Sequence, residues 1–155
     1  MSGHVDNTIV IDAPMPLVWE MTNDVPSWTT LYSEYAEATV LEREGNRVRF
    51  RLSLHPDANG TTWSWVSERI SDPDAHVVHS RRVETGNFKY MWIYWEFTQE
   101  HDGVHMRWVQ DFELKPGLPM DDAAMTARLE TNTGTQMRRI KEQIETAARR
   151  TAAPH

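Results

Sequence analysis

A chain of 155 residues is the length of one domain and long enough to bury about 70% of its unfolded surface without a disulfide or metal staple. Its 16 Lys and Arg against 23 Asp and Glu leave a formal net charge of -7, the wrong sign for a general nucleic-acid platform, and the lack of cysteine excludes thiolate catalysis, cysteine zinc sites and a disulfide framework. No apolar run approaches the ~20 residues of a membrane span, and the first residues lack a basic stretch followed by an apolar core, so the expectation is a cytoplasmic single domain over 1–155 with its core at about 5–149.

In chain order, Val5-Asp6-Asn7-Thr8-Ile9-Val10-Ile11 is β-branched enough to open as a strand. Asp12, Pro14 and Pro16 mark the start of a short helix whose apolar face holds Leu17, Val18 and Met21, and Asn23-Asp24 stop it. A second short helix is expected after Pro26, carrying Trp28 to Leu31. Turn signals then recur at Gly45-Asn46, Asn59-Gly60, Asp72-Pro73-Asp74, Gly86-Asn87 and Asp102-Gly103. They cut the region into strands at about 34–44, 47–54, 61–71, 75–84, 88–100 and 104–114. Connections this short imply an antiparallel meander.

After Lys115-Pro116-Gly117-Leu118-Pro119 the pattern becomes a long helix, about 121–149. Asp121 and Asp122 open it, and Arg138, Arg139, Lys141, Arg149 and Arg150 lie toward its end, as the helix dipole favours. Met125, Leu129, Thr133, Gln136, Ile140 and Ile144 recur on one face. Gly134 interrupts the helix at a cost of roughly 1 kcal/mol against Ala, which a close approach of sheet or ligand would explain. Thr151 to His155 read as a frayed tail. The fold class that follows is α+β: a seven-stranded antiparallel sheet wrapped around the long C-terminal helix, with two short helices after the first strand.

Seven Trp stand among hydrophobic residues that make up only 39% of the chain. Indole is bulky and its N–H wants an acceptor, so Trp in this number is poor filling for an ordinary core. Alternation along the strands groups them. Segment 61–71 puts Thr61, Trp63, Trp65, Ser67 and Arg69 on one face; segment 88–100 puts Met91, Ile93, Trp95 and Phe97 together; segment 104–114 aligns Met106, Trp108, Gln110 and Phe112. Two arrangements satisfy this concave face. In one, Trp63 and Trp65 are solid core and Arg69 pairs with a helix carboxylate such as Glu130. In the other, the tryptophans wall a pocket in which Arg69, Ser67 and Gln110 are placed polar groups. The composition favours the pocket, since solid cores prefer Leu, Ile and Val.

No GxGxxG, Walker loop or HExxH is present, and the seven His are scattered, so no metal or nucleotide cofactor is expected. The available chemistry is one guanidinium, the phenols of Tyr32 and Tyr35, the hydroxyls of Thr30, Ser33 and Ser67, and the Gln110 amide. That set suits a polyoxygenated, partly aromatic molecule, with indoles for flat rings and Arg for carbonyl or enolate oxygens.

The segments DNTIVIDAP (6–14), SEYAEA (33–38), PDANG (56–60), WVSERI (65–70), RVETG (82–86), YMWIYW (90–95) and MRWVQDFELKPG (106–117) resemble the single-domain aromatase/cyclases of bacterial type II polyketide synthases, from about residue 6 to 145. The likeness is strongest to the tetracenomycin-type and spore-pigment-type members. It implies a helix-grip fold of the START and Bet v1-like kind and no cofactor. It implies as partners the minimal synthase and an acyl carrier protein bearing a linear poly-β-ketone, whose first ring is closed, typically between carbons 9 and 14, and aromatised.

By the same resemblance Arg69 lies deep in the pocket, and Tyr35, Gln110, Trp28, Ser67, Trp63, Trp95 and Trp108 match family positions, whereas Tyr32 stands where Phe is expected. Arg69 and Tyr35 are the catalytic pair: Arg69 stabilises enolate and aldol oxyanions, and Tyr35, or a water held by Gln110 and Ser67, carries protons. Trp28, Thr30, Tyr32, Ser33, Trp63, Trp65, Ser67, Met91, Trp95, Trp108 and Gln110 line the substrate site, closed on the helix side by Leu129, Thr133 and Gln136. Arg81, Arg82 or Lys89 supply a basic rim for the carrier. The competing function is a carrier of lipid, quinone or pigment on the same fold; a protein–protein adaptor is a third, marked by a large exposed apolar surface in place of a cavity.

Overall fold

The computed structural model describes residues 2–152. Strand β1 (Gly3–Ile11) leads into helix α1 (Met15–Asn23), a 3-10 turn at Val25–Ser27 and helix α2 (Trp28–Leu31). The meander follows as β2 (Tyr35–Glu44), β3 (Arg47–Leu54), β4 (Ser64–Asp72), β5 (Val77–Arg82), β6 (Phe88–Glu100) and β7 (Gly103–Leu114), and helix α3 (Asp122–Ala152) closes the molecule. The sheet order is β1-β7-β6-β5-β4-β3-β2, every pair antiparallel. β1 therefore does not pair with the next strand in sequence. The two short helices carry the chain to the far edge, and the meander returns to β1, so the sheet curls around α3. This is the antiparallel meander the turn pattern predicts, in the α+β helix-grip arrangement the resemblance implies.

The inner face is apolar because alternation and register coincide. Val5 and Ile11 of β1, Phe50 and Leu52 of β3, Val78 of β5, Phe97 of β6 and Val104 and Met106 of β7 are all buried, and Met137, Ile140 and Ile144 of α3 meet them. A smaller cluster at the other end gathers Phe88, Met91, Phe112 and Leu114 beneath Met125 and Leu129. Gly3 belongs here for steric reasons: a Cβ on it would stand 2.2 Å from the Phe112 ring. Among the large hydrophobic side chains of the strands, Leu41, Ile70 and Trp92 are more than half exposed.

Several local expectations are corrected. Asp12 does not cap α1; Pro14 occupies that position, and the Asp12 N–H donates to Glu145 Oε2 of α3 at 2.8 Å. β4 begins at Ser64, so Thr61 to Trp63 are not strand. The cause is Asp57, which accepts from the N–H groups of Asn59 and Thr61 and from the Trp63 indole at 3.1 Å, folding that stretch into a turn. Gly134 does not mark a close approach, since an added methyl would meet only Arg138 Nη1, at 3.5 Å. Thr151 and Ala152 continue α3, and the remainder of the expected tail, 153–155, lies outside the described residues.

Candidate active site

The site is built around Arg69, which strand alternation turns inward and register sets between Val48 and Ser80. It is 1% exposed, and it forms no ion pair among the described residues. Glu130, the partner one arrangement required, is exposed on α3. The guanidinium is held by the last turn of α1: Nη2 donates to Asn23 Oδ1 at 3.0 Å and Nη1 to the Thr22 carbonyl at 3.4 Å. Helix C-terminal carbonyls lack intrahelical donors and carry partial negative charge, so they suit a cation. Asn23 is itself fixed, donating to the Trp19 carbonyl and accepting from Ser71. The Arg69 Cζ lies 4.9 Å from the Trp28 ring centroid and 4.7 Å from that of Trp95. Burial lowers the guanidinium to about 10, so it stays charged at neutral pH.

Around this cation the aromatic side chains form one group. Trp28 packs on Tyr32, Tyr35, Phe50 and Trp95, and Trp95 packs on Trp108 at 5.3 Å between centroids. Tyr32 and Tyr35 lie 4.9 Å apart. The space expected to be open between sheet and helix is thus largely filled by these rings. A cavity of about 160 Å³ does reach Arg69, from the α1 end, between Asn23, Arg43, Asn46 and Ser71. A larger dent of about 400 Å³ lies at Ile70, Trp92 and Tyr94 and does not include Arg69.

A second polar group sits beside Tyr35. Glu34 accepts from Asn132 Nδ2 of α3 at 3.0 Å, and burial raises its carboxyl above the ordinary carboxylate range. Burial, reinforced by Glu34, pushes the Tyr35 phenol well above its usual value, so it remains a proton donor. Burial raises the Tyr32 phenol as well. Arg82 lies 4.0 Å over the Trp65 ring and 4.8 Å over Phe88, lowered to about 10 by burial. It is half-buried against those two rings. Arg81 and Lys89 of the expected basic rim are engaged with Glu68 and Glu113.

Of the residues named from sequence, Arg69, Tyr35, Trp28, Tyr32, Trp65, Trp95 and Trp108 come together; Ser67 is buried opposite Phe50 in the sheet register, and Gln110 is buried and accepts a 2.8 Å bond from Thr133 of α3. Trp63 does not; it is 48% exposed at the Asp57 turn. The Thr30 and Ser33 side chains are exposed, and Gln136 is spent on Ser33, accepting from its N–H and donating to its hydroxyl. Met91 and Leu129 belong to the smaller apolar cluster. Thr22, Asn23, Glu34 and the packing of Arg82 on Trp65 and Phe88 were missed. Glu34 sits inside the SEYAEA segment beside Tyr35, and that adjacency was the available signal.

A family model described as "Polyketide cyclase / dehydrase and lipid transport" matches residues 11–141. A Streptomyces cyaneus protein with the name "Putative polyketide cyclase" is 54% identical over 145 residues, covering 94% of this chain and 95% of its own. Among solved structures, the aromatase/cyclase Zhui from Streptomyces sp. R1128 superposes with a TM-score of 0.80 at 22% identity, covering 99% of this chain and 98% of its own. A START superfamily protein from Mycobacterium smegmatis superposes at 0.70 and 12% identity, over 96% of this chain and 99% of its own. The two structural likenesses concern the fold.

Proposed function

The chain belongs to the polyketide cyclase / dehydrase and lipid-transport family, and from that membership we propose that it is an aromatase/cyclase that takes a poly-β-ketone from an acyl carrier protein of a type II synthase and closes its first ring between carbons 9 and 14. The observation that supports chemistry over mere carriage is the buried, carboxylate-free guanidinium of Arg69 between two indole faces. A buried charge without a counter-charge costs several kcal/mol, and a lipid carrier gains nothing from that cost. A catalyst does, because the cation finds its partner only when an enolate or alkoxide develops beside it.

The proton inventory follows from the same burial. A methylene between two ketones is acidic enough for a carboxylate to deprotonate it. Glu34, with its raised affinity for a proton, is the acceptor within reach of Tyr35, and Tyr35 is the donor. The enolate carbon attacks the distant carbonyl, forming one carbon–carbon bond and an alkoxide facing Arg69. Protonation gives the aldol, and loss of one water with enolisation gives the aromatic ring. The rigid indole walls select one bend of the chain among many, which is a proximity effect. Entry requires the packed rings to part, and Trp28 and Tyr32 are carried by the short α2 segment and its end.

In vitro reconstitution with synthase and carrier tests this, with products identified by mass and NMR. The expected product carries a first ring closed between carbons 9 and 14. A mixture identical to that made without the protein contradicts it.

A further inference from the structure

Among the described residues, seven buried side-chain nitrogens find no hydrogen-bond partner, and four of them belong to this one cluster: the indole Nε1 of Trp28, Trp95 and Trp108, and Arg69 Nε. Each parent side chain is at least 95% buried. An unpartnered buried donor costs about 1–3 kcal/mol, so four together call for a ligand that answers them. All four are donors. Indole nitrogen cannot accept, and neither can guanidinium. The nearby amide oxygens are already engaged, Gln110 Oε1 by Thr133 and Asn23 Oδ1 by Arg69 and Ser71; Glu34 keeps one oxygen beyond its bond from Asn132, and the buried hydroxyls of Tyr32, Tyr35 and Ser67 can donate or accept. The groups of the cluster that are left without any partner are all donors.

Resting on the cyclase reading above, we propose that the indole N–H groups of Trp28, Trp95 and Trp108 are hydrogen-bond donors to the carbonyl oxygens of the substrate, and that this surplus of unpartnered donors separates substrate from product. A poly-β-ketone presents an acceptor at every second carbon and few free donors, since its enol O–H bonds to the neighbouring carbonyl. Ring closure and dehydration convert those acceptors into phenols, which bring O–H donors into a site already full of donors. A site built for one hydrogen-bond pattern discriminates strongly against its complement. The three tryptophans then act as positioning residues that hold the chain by its oxygens and favour release once the ring is aromatic.

A matched pair of probes tests this. Heptane-2,4,6-trione is a minimal poly-β-ketone, and orcinol is the same seven-carbon skeleton closed to a ring with loss of one water. Both are titrated into the uniformly ¹⁵N-labelled full chain while indole N–H signals are followed by heteronuclear NMR. Trp28→Phe, Trp95→Phe and Trp108→Phe assign the signals, each deleting one. The expected result is a downfield shift of these three indole protons with the trione and none with orcinol. The trione binds about tenfold tighter, and the gap narrows in Trp95→Phe. If the trione shifts backbone amides around Arg69 while the three indole protons stay in place, the donor role is wrong and the cyclase reading stands. If orcinol shifts the indoles as strongly, the discrimination is wrong. If the trione perturbs nothing near Arg69, both fall.

Discussion

Arg69 and Glu34 form no ion pair with each other, and burial moves each toward its neutral form. Their consequences for pH differ. The Glu34 carboxyl holds its proton more tightly folded than unfolded, so its contribution to stability is complete below the ordinary carboxylate value of 4.5 and is lost as pH rises through its raised value. Glu34→Gln should flatten that loss, checked by urea midpoints measured from about pH 4 to about pH 8. If Glu34 is the proton acceptor, the same substitution lowers turnover by roughly 10²–10⁴-fold and removes the acid limb of the rate profile. An acid limb that survives in Glu34→Gln rules that role out. Trp95 and Trp63 give a contrast in shape selection. Trp95→Leu should shift the position of ring closure, whereas Trp63→Leu, at an exposed turn, should leave product ratios unchanged. Identical ratios from both variants would remove Trp95 from the shaping wall.

At the scale of elements, turn chemistry made the meander legible: each Gly or Asp turn signal falls at the ends of, or between, two observed strands. The inward faces of β4, β6 and β7 followed from period-two alternation once those strands were placed. What alternation could not supply was where a strand begins. Asp57 captures the Trp63 indole six residues on, a side-chain bond that leaves no trace in periodicity, and so Trp63 was placed on the wrong side. The α1 terminus was equally hidden, because its role in holding Arg69 depends on contacts 46 and 47 residues apart in the chain. Gly134 is the converse case, a residue whose conformation and surroundings require nothing special. Gly134→Ala should raise stability by about 0.5–1 kcal/mol, read from the shift in a denaturation midpoint at unchanged slope. A loss of stability would reveal a constraint on α3 that its neighbours do not display.

For the whole molecule, a curled sheet, a gripping helix and an interior of indoles around one cation stand as composition and alternation implied, while the openness of that interior does not. Composition reports how much aromatic volume is present; it is silent on whether the rings face an empty space or one another. Here they pack together, so the proposed function requires a chain to part them. The central claim is that Arg69 is retained for charge that develops in the reaction rather than for the fold. Arg69→Met keeps most of the volume and removes the charge, and equilibrium unfolding together with product analysis on the same preparation measures both terms. The account predicts stability within about 1 kcal/mol of the parent or above it, with first-ring product reduced by roughly 10²–10³-fold. A variant that loses several kcal/mol of stability yet forms the same product per folded molecule would contradict it.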